Sequence, residues 1–156
     1  MNKKATLKSD LIFPKTPAIQ AYMALRRTHD AIHRHVSKKL AEWNLSVPKY
    51  GVLVRLYDHG SLPISVISSQ IFRGNSNVTT LIHRMEREGL VKRFGNGHDR
   101  RVKEVRLTKK GLALASRVIG RYKPFLHQMM MNGLTPEEQE ELLKLLKRIQ
   151  ESLAKS

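Results

Sequence analysis

Between Ser76 and Arg87 lie seven side chains that can exchange hydrogen bonds with a planar heterocycle or a phosphate: Ser76, Asn77, Thr79, Thr80, His83, Arg84 and Arg87. Hydroxyls and an amide are both donors and acceptors, imidazole offers one of each, and guanidinium is a fork of donors. At about 100° per residue, Ser76, Thr80, His83 and Arg87 share one side of a helix, flanked by Asn77, Thr79 and Arg84. Val78, Leu81, Ile82 and Met85 fall within about 100° of arc on the opposite side, as a core-facing stripe should. Only Glu86 and Glu88 are acidic, both near the C-terminal end, so an anion can approach the N-terminal half. A helix with short polar side chains at its start and arginine further along suits direct readout of base edges in a major groove. Taken by itself, the same pattern would also describe an ordinary solvated helix face.

The elements around this stretch decide between those readings. Ile64 to Ile71 predicts a short helix, joined by Phe72-Arg73-Gly74-Asn75 to the helix of about Ser76 to Glu88, which Gly89 closes. Leu90 to Phe94 and Val102 to Leu107 alternate apolar and charged residues and predict a two-stranded hairpin around the long basic loop Gly95-Asn96-Gly97-His98-Asp99-Arg100-Arg101. Together these make a winged helix-turn-helix. In that geometry Arg73 is placed for the phosphate backbone, and His98, Asp99, Arg100 and Arg101 lie beside the adjacent minor groove, where arginine is favoured. Asp99 is expected to pair with one of Arg100 and Arg101 and leave the other to insert, Arg101 being the favoured of the two.

Further out, apolar or half-apolar residues recur at helical steps from Ala18 to Trp43, with His29 filling a gap in the stripe. A second helix is expected from Val47 to about His59, with Pro48 in its first turn and Gly60 as its stop. Thr108 can cap a helix through Leu112, Ala115, Ile119, Tyr122, Phe125 and Met129, with a kink expected at Pro124. Thr135, Pro136 and Glu138 form a capping box at the start of a last helix, whose Leu142, Leu146, Ile149 and Leu153 share a face suited to a partner helix. Residues 1–17 read as a basic, irregular tail.

The chain has 156 residues, enough for one core and a dimerisation arm but not for two full domains. Its net charge of +16 points to an anionic partner. That excess lies in residues 1–134, with 25 Lys/Arg against 8 Asp/Glu; residues 135–156 carry 4 against 5, so the last helix has another task. Having no cysteine, the chain holds no disulfide, thiolate zinc site or thiol redox sensor. No apolar run reaches the roughly 20 residues of a membrane span, and no signal-peptide core follows the N-terminal lysines; a cytoplasmic protein, nucleoid-associated when bound to DNA, is expected. No nucleophile with a nearby base, paired carboxylates or phosphate loop has a usable spacing, so no enzyme and no cofactor are expected. His29 and His33, with Asp30 between them, are two ligands rather than a metal site, and His29 reads as a core or interface histidine. His127 beside three methionines reads as helix packing.

The blocks "NVTTLIHRMEREGLVKR", "DRRVKEVRLTKKG" and "GLTPEEQEELLKLLKRI" resemble the MarR (multiple antibiotic resistance regulator) family of transcription factors. The resemblance covers most of residues 18–154. It implies a mainly α (α+β) chain, with a winged helix-turn-helix lobe at 47–107 and a helical dimerisation region formed by 18–46 and 108–156. It further implies a homodimer on a pseudo-palindromic double-stranded DNA operator, and repression relieved by a small aromatic or phenolic effector bound between the first helix and the lobe, near Tyr22, His29, His33 and Trp43. The rival class is a basic architectural or RNA-associated protein, for which charge alone would suffice; side chains sorted by face argue against it.

Overall fold

The computed structural model describes residues 16–71, 78–96 and 99–155; the side chains of 70, 71, 96 and 99–103 are not described. Among the described residues, six helices and three strands follow in the order α1 (Pro17–Ala41), α2 (Val47–His59), β1 (Ser61–Pro63), α3 (Ile64–Ile71), α4 (Val78–Arg87), β2 (Val91–Asn96), β3 (Asp99–Leu107), α5 (Lys109–Met131) and α6 (Pro136–Ala154). The chain divides within α2 into two compact units, residues 1–50 and 51–156.

In the first unit, α1 starts at Thr16, whose Oγ1 accepts from the Ile19 amide at 3.4 Å, with Pro17 in the first turn. It stops at Ala41, two residues before the expected Trp43. Asn44 adopts φ 56, a left-handed conformation that asparagine tolerates, and the Trp43 and Leu45 amides both donate to Leu40 O as the chain turns. Val36, Leu40 and Leu45 are buried, whereas Tyr22 and Leu25 are exposed. His29 is exposed too, its side chain 73% accessible and its Nδ1 3.5 Å from Asp30 Oδ1, so of the two readings, core or interface histidine, the chain's own core is excluded.

The second unit has one core, to which α2 gives Val52, Leu53 and Leu56, α3 gives Ile67, α4 gives Val78, Ile82 and Met85, and α5 gives Ala115, Val118 and Tyr122. Leu90, Val91 and Val105 complete it from the sheet side. Burial also raises the Tyr122 phenol above its ordinary value. The two-stranded hairpin expected for the wing is present as β2 and β3, and a third strand joins its sheet. Residues 61–63 pair with β3 as Ser61↔Arg106, Leu62↔Val105 and Pro63↔Glu104, giving the order β1-β3-β2. Ser61 Oγ donates to Glu104 Oε2 at 2.9 Å across that join. Pro63 ends the strand, consistent with a residue that cannot donate to a ladder. Helix α5 runs on through Pro124. In α6 the capping box is present as expected: Thr135 Oγ1 accepts from the Glu138 amide at 3.3 Å and Glu138 Oε2 accepts from the Thr135 amide at 2.8 Å. No residue of α6 is buried, and Leu143, Leu145, Ile149 and Leu153 are exposed. Among the described residues no helix is long and apolar enough to cross a membrane.

Candidate nucleic-acid interface

Helix α4 packs against α3 and β2 and presents two unlike faces. Val78, Ile82 and Met85 are buried, with Leu81 half-buried beside them, while Thr79, Thr80, His83, Arg84 and Arg87 are all exposed. The segregation follows from the 3.6-residue period of the apolar positions. Arg84 and Arg87 lie in the last turn, where cations suit the helix dipole. The helix ends at Gly89 (φ 71): Leu90 N donates to Met85 O at 2.9 Å and Gly89 N to Glu86 O at 2.9 Å, the Schellman arrangement. Buried Leu90 follows Gly89, so the chain reverses tightly and enters β2 with no linker, which is how an amphipathic helix comes to run straight into a β segment.

That reversal brings Arg93 of β2 back onto α4. Its amide donates to Glu86 Oε1 at 3.1 Å, its Nε donates to Glu86 Oε2 at 2.7 Å, and its Nη2 lies 2.7 Å from the same oxygen. The remaining arm, Nη1, lies 2.8 Å from His83 Nε2. The Arg93 amide hydrogen bond is the largest influence holding the Glu86 carboxyl below its ordinary value; desolvation opposes it, and the Arg93 guanidinium and then His83 assist. A short, charge-assisted clamp thus ties the exposed helix to the wing. Arg93 was missed at the level of sequence. Its signal was present as an acid three residues before Gly89 and a base four residues after it, which a glycine-capped reversal sets opposite each other.

The wing departs from expectation in length and register. Most of the expected basic loop is strand: Gly95 and Asn96 belong to β2, and Asp99, Arg100 and Arg101 open β3. Pairing is regular from Val91↔Leu107 to Gly95↔Lys103, then shifts register between Gly95 and Asn96, where Asn96 pairs with Asp99. Lower in the wing, the Arg106 guanidinium stacks 4.9 Å from the Phe94 ring centroid. At its exit, Thr108 Oγ1 donates to Gly89 O at 2.6 Å and accepts from Gly111 N at 3.0 Å, capping α5 while holding the end of α4. Lys110 Nζ donates to Glu88 O at 2.8 Å at the same junction.

The structure therefore gathers Thr79, Thr80, His83, Arg84 and Arg87 on one exposed face. Arg73, Ser76, Asn77 and His98 lie outside the described residues, as does the expected pairing of the Asp99 side chain with an arginine. The four residues expected near an effector, Tyr22, His29, His33 and Trp43, all lie in the first unit. Tyr22, His29 and His33 share a stripe about 40° wide that runs roughly 16 Å along α1, but Trp43 lies past the helix end, about 30 Å from Tyr22 at the α-helical rise. The His29 and His33 rings are 6.2 Å apart, and the ammonium of Lys39 lies 5.5 Å from the Trp43 ring centroid. Among the described residues no group of three or more His, Asp or Glu is placed to hold a metal ion.

A core-packed helix with a polar outer face, clamped to a bulged basic wing, defines a winged-helix DNA-binding protein. Comparison with known proteins agrees. The model of the MarR family matches residues 45–103. The HTH-type transcriptional repressor IacR of Pseudomonas putida is 31% identical over 122 residues, covering 78% of this chain and 72% of that protein. AbsC, a MarR family transcriptional regulator from Streptomyces coelicolor, superposes with a TM-score of 0.80 at 26% identity over 90% of this chain and 97% of that one. Sco3205, a MarR family regulator of the same organism solved in complex with DNA, shares the fold at a TM-score of 0.77 and 21% identity, over 86% of each chain. The chain belongs to the MarR family of winged-helix transcriptional regulators. It is a DNA-binding regulator, not an enzyme.

Proposed function

We propose that this chain is a homodimeric repressor that reads a pseudo-palindromic operator with α4 and steadies itself in the flanking minor groove with an arginine at the start of β3. The observation that carries the reading is the face of α4: five exposed hydrogen-bonding side chains stand opposite three buried apolar ones. In this reading Thr80, His83 and Arg87, with Ser76 and Asn77 at the helix start, face base edges, while Thr79 flanks them and Arg84 and Arg73 serve phosphates. Of the wing residues His98, Asp99, Arg100 and Arg101, one arginine enters the minor groove from the start of β3. Repression is supported by the likeness to the repressor IacR. Dimerisation is supported by the uncovered apolar residues Tyr22 and Leu25 on α1 and Leu145, Ile149 and Leu153 on α6, more than a lone chain keeps in water without a partner. In this reading a small aromatic or phenolic effector binds near Tyr22, His29, His33 and Trp43 and relieves repression.

Selection of bound duplexes from a random pool is the test. A dyad-symmetric site with half-sites roughly 10 bp apart is expected. Arg87→Ala is expected to relax preference at one position per half-site at a cost of about 1–3 kcal/mol, whereas Arg84→Ala is expected to weaken all duplexes alike and lower the salt slope by about one. Replacing Arg100 and Arg101 together by Ala is expected to weaken binding at least tenfold, by roughly 1.4 kcal/mol or more, most strongly on A·T-rich flanks. Equal binding to RNA, random duplex and selected duplex would instead indicate a charge-driven architectural protein.

A further inference from the structure

We propose that Arg93 is a positioning residue that sets the tautomer of His83, so that α4 presents an Nδ1–H donor to the base it faces and disfavours cytosine there. The inference rests on the reading that α4 faces the bases. Its own basis is a hydrogen bond with only one possible polarity. A guanidinium has donors and no acceptor, so the nitrogen 2.8 Å from Arg93 Nη1 must offer a lone pair. That nitrogen is His83 Nε2, and the ring proton of the neutral imidazole is then on Nδ1.

Arg93 is not free to turn away and accommodate the other tautomer. Its Nε and Nη2 are both 2.7 Å from Glu86 Oε2, its own amide is bonded to Glu86 Oε1, and its side chain is only 23% accessible. A fork fastened at two nitrogens directs its third, because the guanidinium is planar and rigid. A proton on Nε2 would meet an N–H group across 2.8 Å. The Arg93 contact therefore selects one of two otherwise available tautomers, and it does so on an exposed ring that shares the outer face of α4 with Thr80 and Arg87.

The remaining polar atom of that ring decides what it can read. In the major groove guanine shows two acceptors, N7 and O6; adenine shows N7, thymine shows O4, and cytosine shows only its N4 donor. A donor at His83 is best matched by guanine, is compatible with adenine and thymine, and meets a donor at cytosine. With the other tautomer Nδ1 would be an acceptor and cytosine N4 a partner, so preference at this one position would reverse without any change of residue.

The test combines nitrogen NMR of histidine-labelled, DNA-free protein in alkaline buffer with duplex selection for the parent, Arg93→Ala and Glu86→Gln. Glu86→Gln removes the charge that fixes the fork but leaves an oxygen for the Arg93 amide, so the strand stays attached and the test survives if Arg93→Ala does not fold. The expected result is an Nδ1–H shift pattern for His83 in the parent and mixed tautomers in both variants. In the selections, cytosine at one position of each half-site is expected to be disfavoured about tenfold by the parent and only about twofold by the variants, with the other positions unchanged. A parent His83 protonated on Nε2, or variants that lose preference at every position alike, would overturn the proposal. An Nδ1–H parent whose His83→Ala variant selects an unaltered site would leave the tautomer correct and overturn the reading of α4, and with it the assignment to cytosine.

Discussion

At Gly111 the absence of a side chain is what lets α5 follow the wing so closely. A Cβ added there would collide with the carbonyl oxygen of Leu90 and lie 2.9 Å from its carbon, and that carbonyl cannot retreat because it accepts the Thr108 amide at 3.1 Å. Gly111→Ala gains about 1 kcal/mol in helix propensity but meets an overpacking penalty of about 3 kcal/mol or more, so a net loss of roughly 2 kcal/mol is expected. Denaturant midpoints measure it, and a variant as stable as the parent would mean that the two backbones part freely. Glu86 offers a second residue-scale test. Its folded-state value is depressed below 4.5, with the Arg93 amide as first cause, so its contribution to stability is present above pH 4.5 and is lost as pH falls through the lower folded value. Glu86→Gln is therefore expected to flatten the acid limb of a melting-temperature profile and leave its slope near neutral pH unchanged; an unaltered acid limb would show that the clamp is not an ionic one.

Among the elements, α6 depends most on its own ends. None of its residues is buried within the chain, and isolated helices of this length are marginal in water, so the capping box and the acids Glu137 and Glu138 in its first turn have a large share in holding it. Thr135→Ala is expected to cost about 1 kcal/mol and Thr135→Ser almost nothing. Amide exchange over residues 136–140 reads this locally, and equal protection in both variants would exclude the cap as a determinant. Helix α4 depends on its surroundings instead: three buried side chains, a Schellman end and the Arg93 clamp hold it, so its outer face is free to be polar. Among the described residues, the element that carries the proposed reading is anchored from its inner side and its C-terminal end.

For the whole molecule, the apolar residues left uncovered on α6 predict the response to dilution and to charge. Replacing Leu145 and Ile149 together by Glu is expected to convert the proposed dimer to a monomer by light scattering at micromolar concentration, and to lower operator affinity by removing one of two linked half-site contacts. A double variant that still scatters as a dimer would place the interface elsewhere. Much of this organisation was legible along the chain, because its causes are local. Apolar periodicity marked α1, α4, α5 and α6, and Thr108, Thr135 and Gly89 marked ends that proved to be caps. The exposed face of α4 could be drawn from Val78, Ile82 and Met85 alone, since one buried stripe determines what lies opposite it. What stayed hidden depends on residues meeting across a reversal or a sheet. Three residues at 61–63 are too short to signal a strand, and become one only where β3 supplies partners. The wing register slips at Gly95/Asn96 through backbone pairing that no side-chain pattern announces. Sequence by itself determined which faces are apolar, where helices stop and that the partner is an anion, because these follow from spacing, capping and charge. Only the tertiary structure decided that Arg93 joins Glu86 to His83, because hydrogen-bond polarity exists only once two groups are within 3 Å of each other.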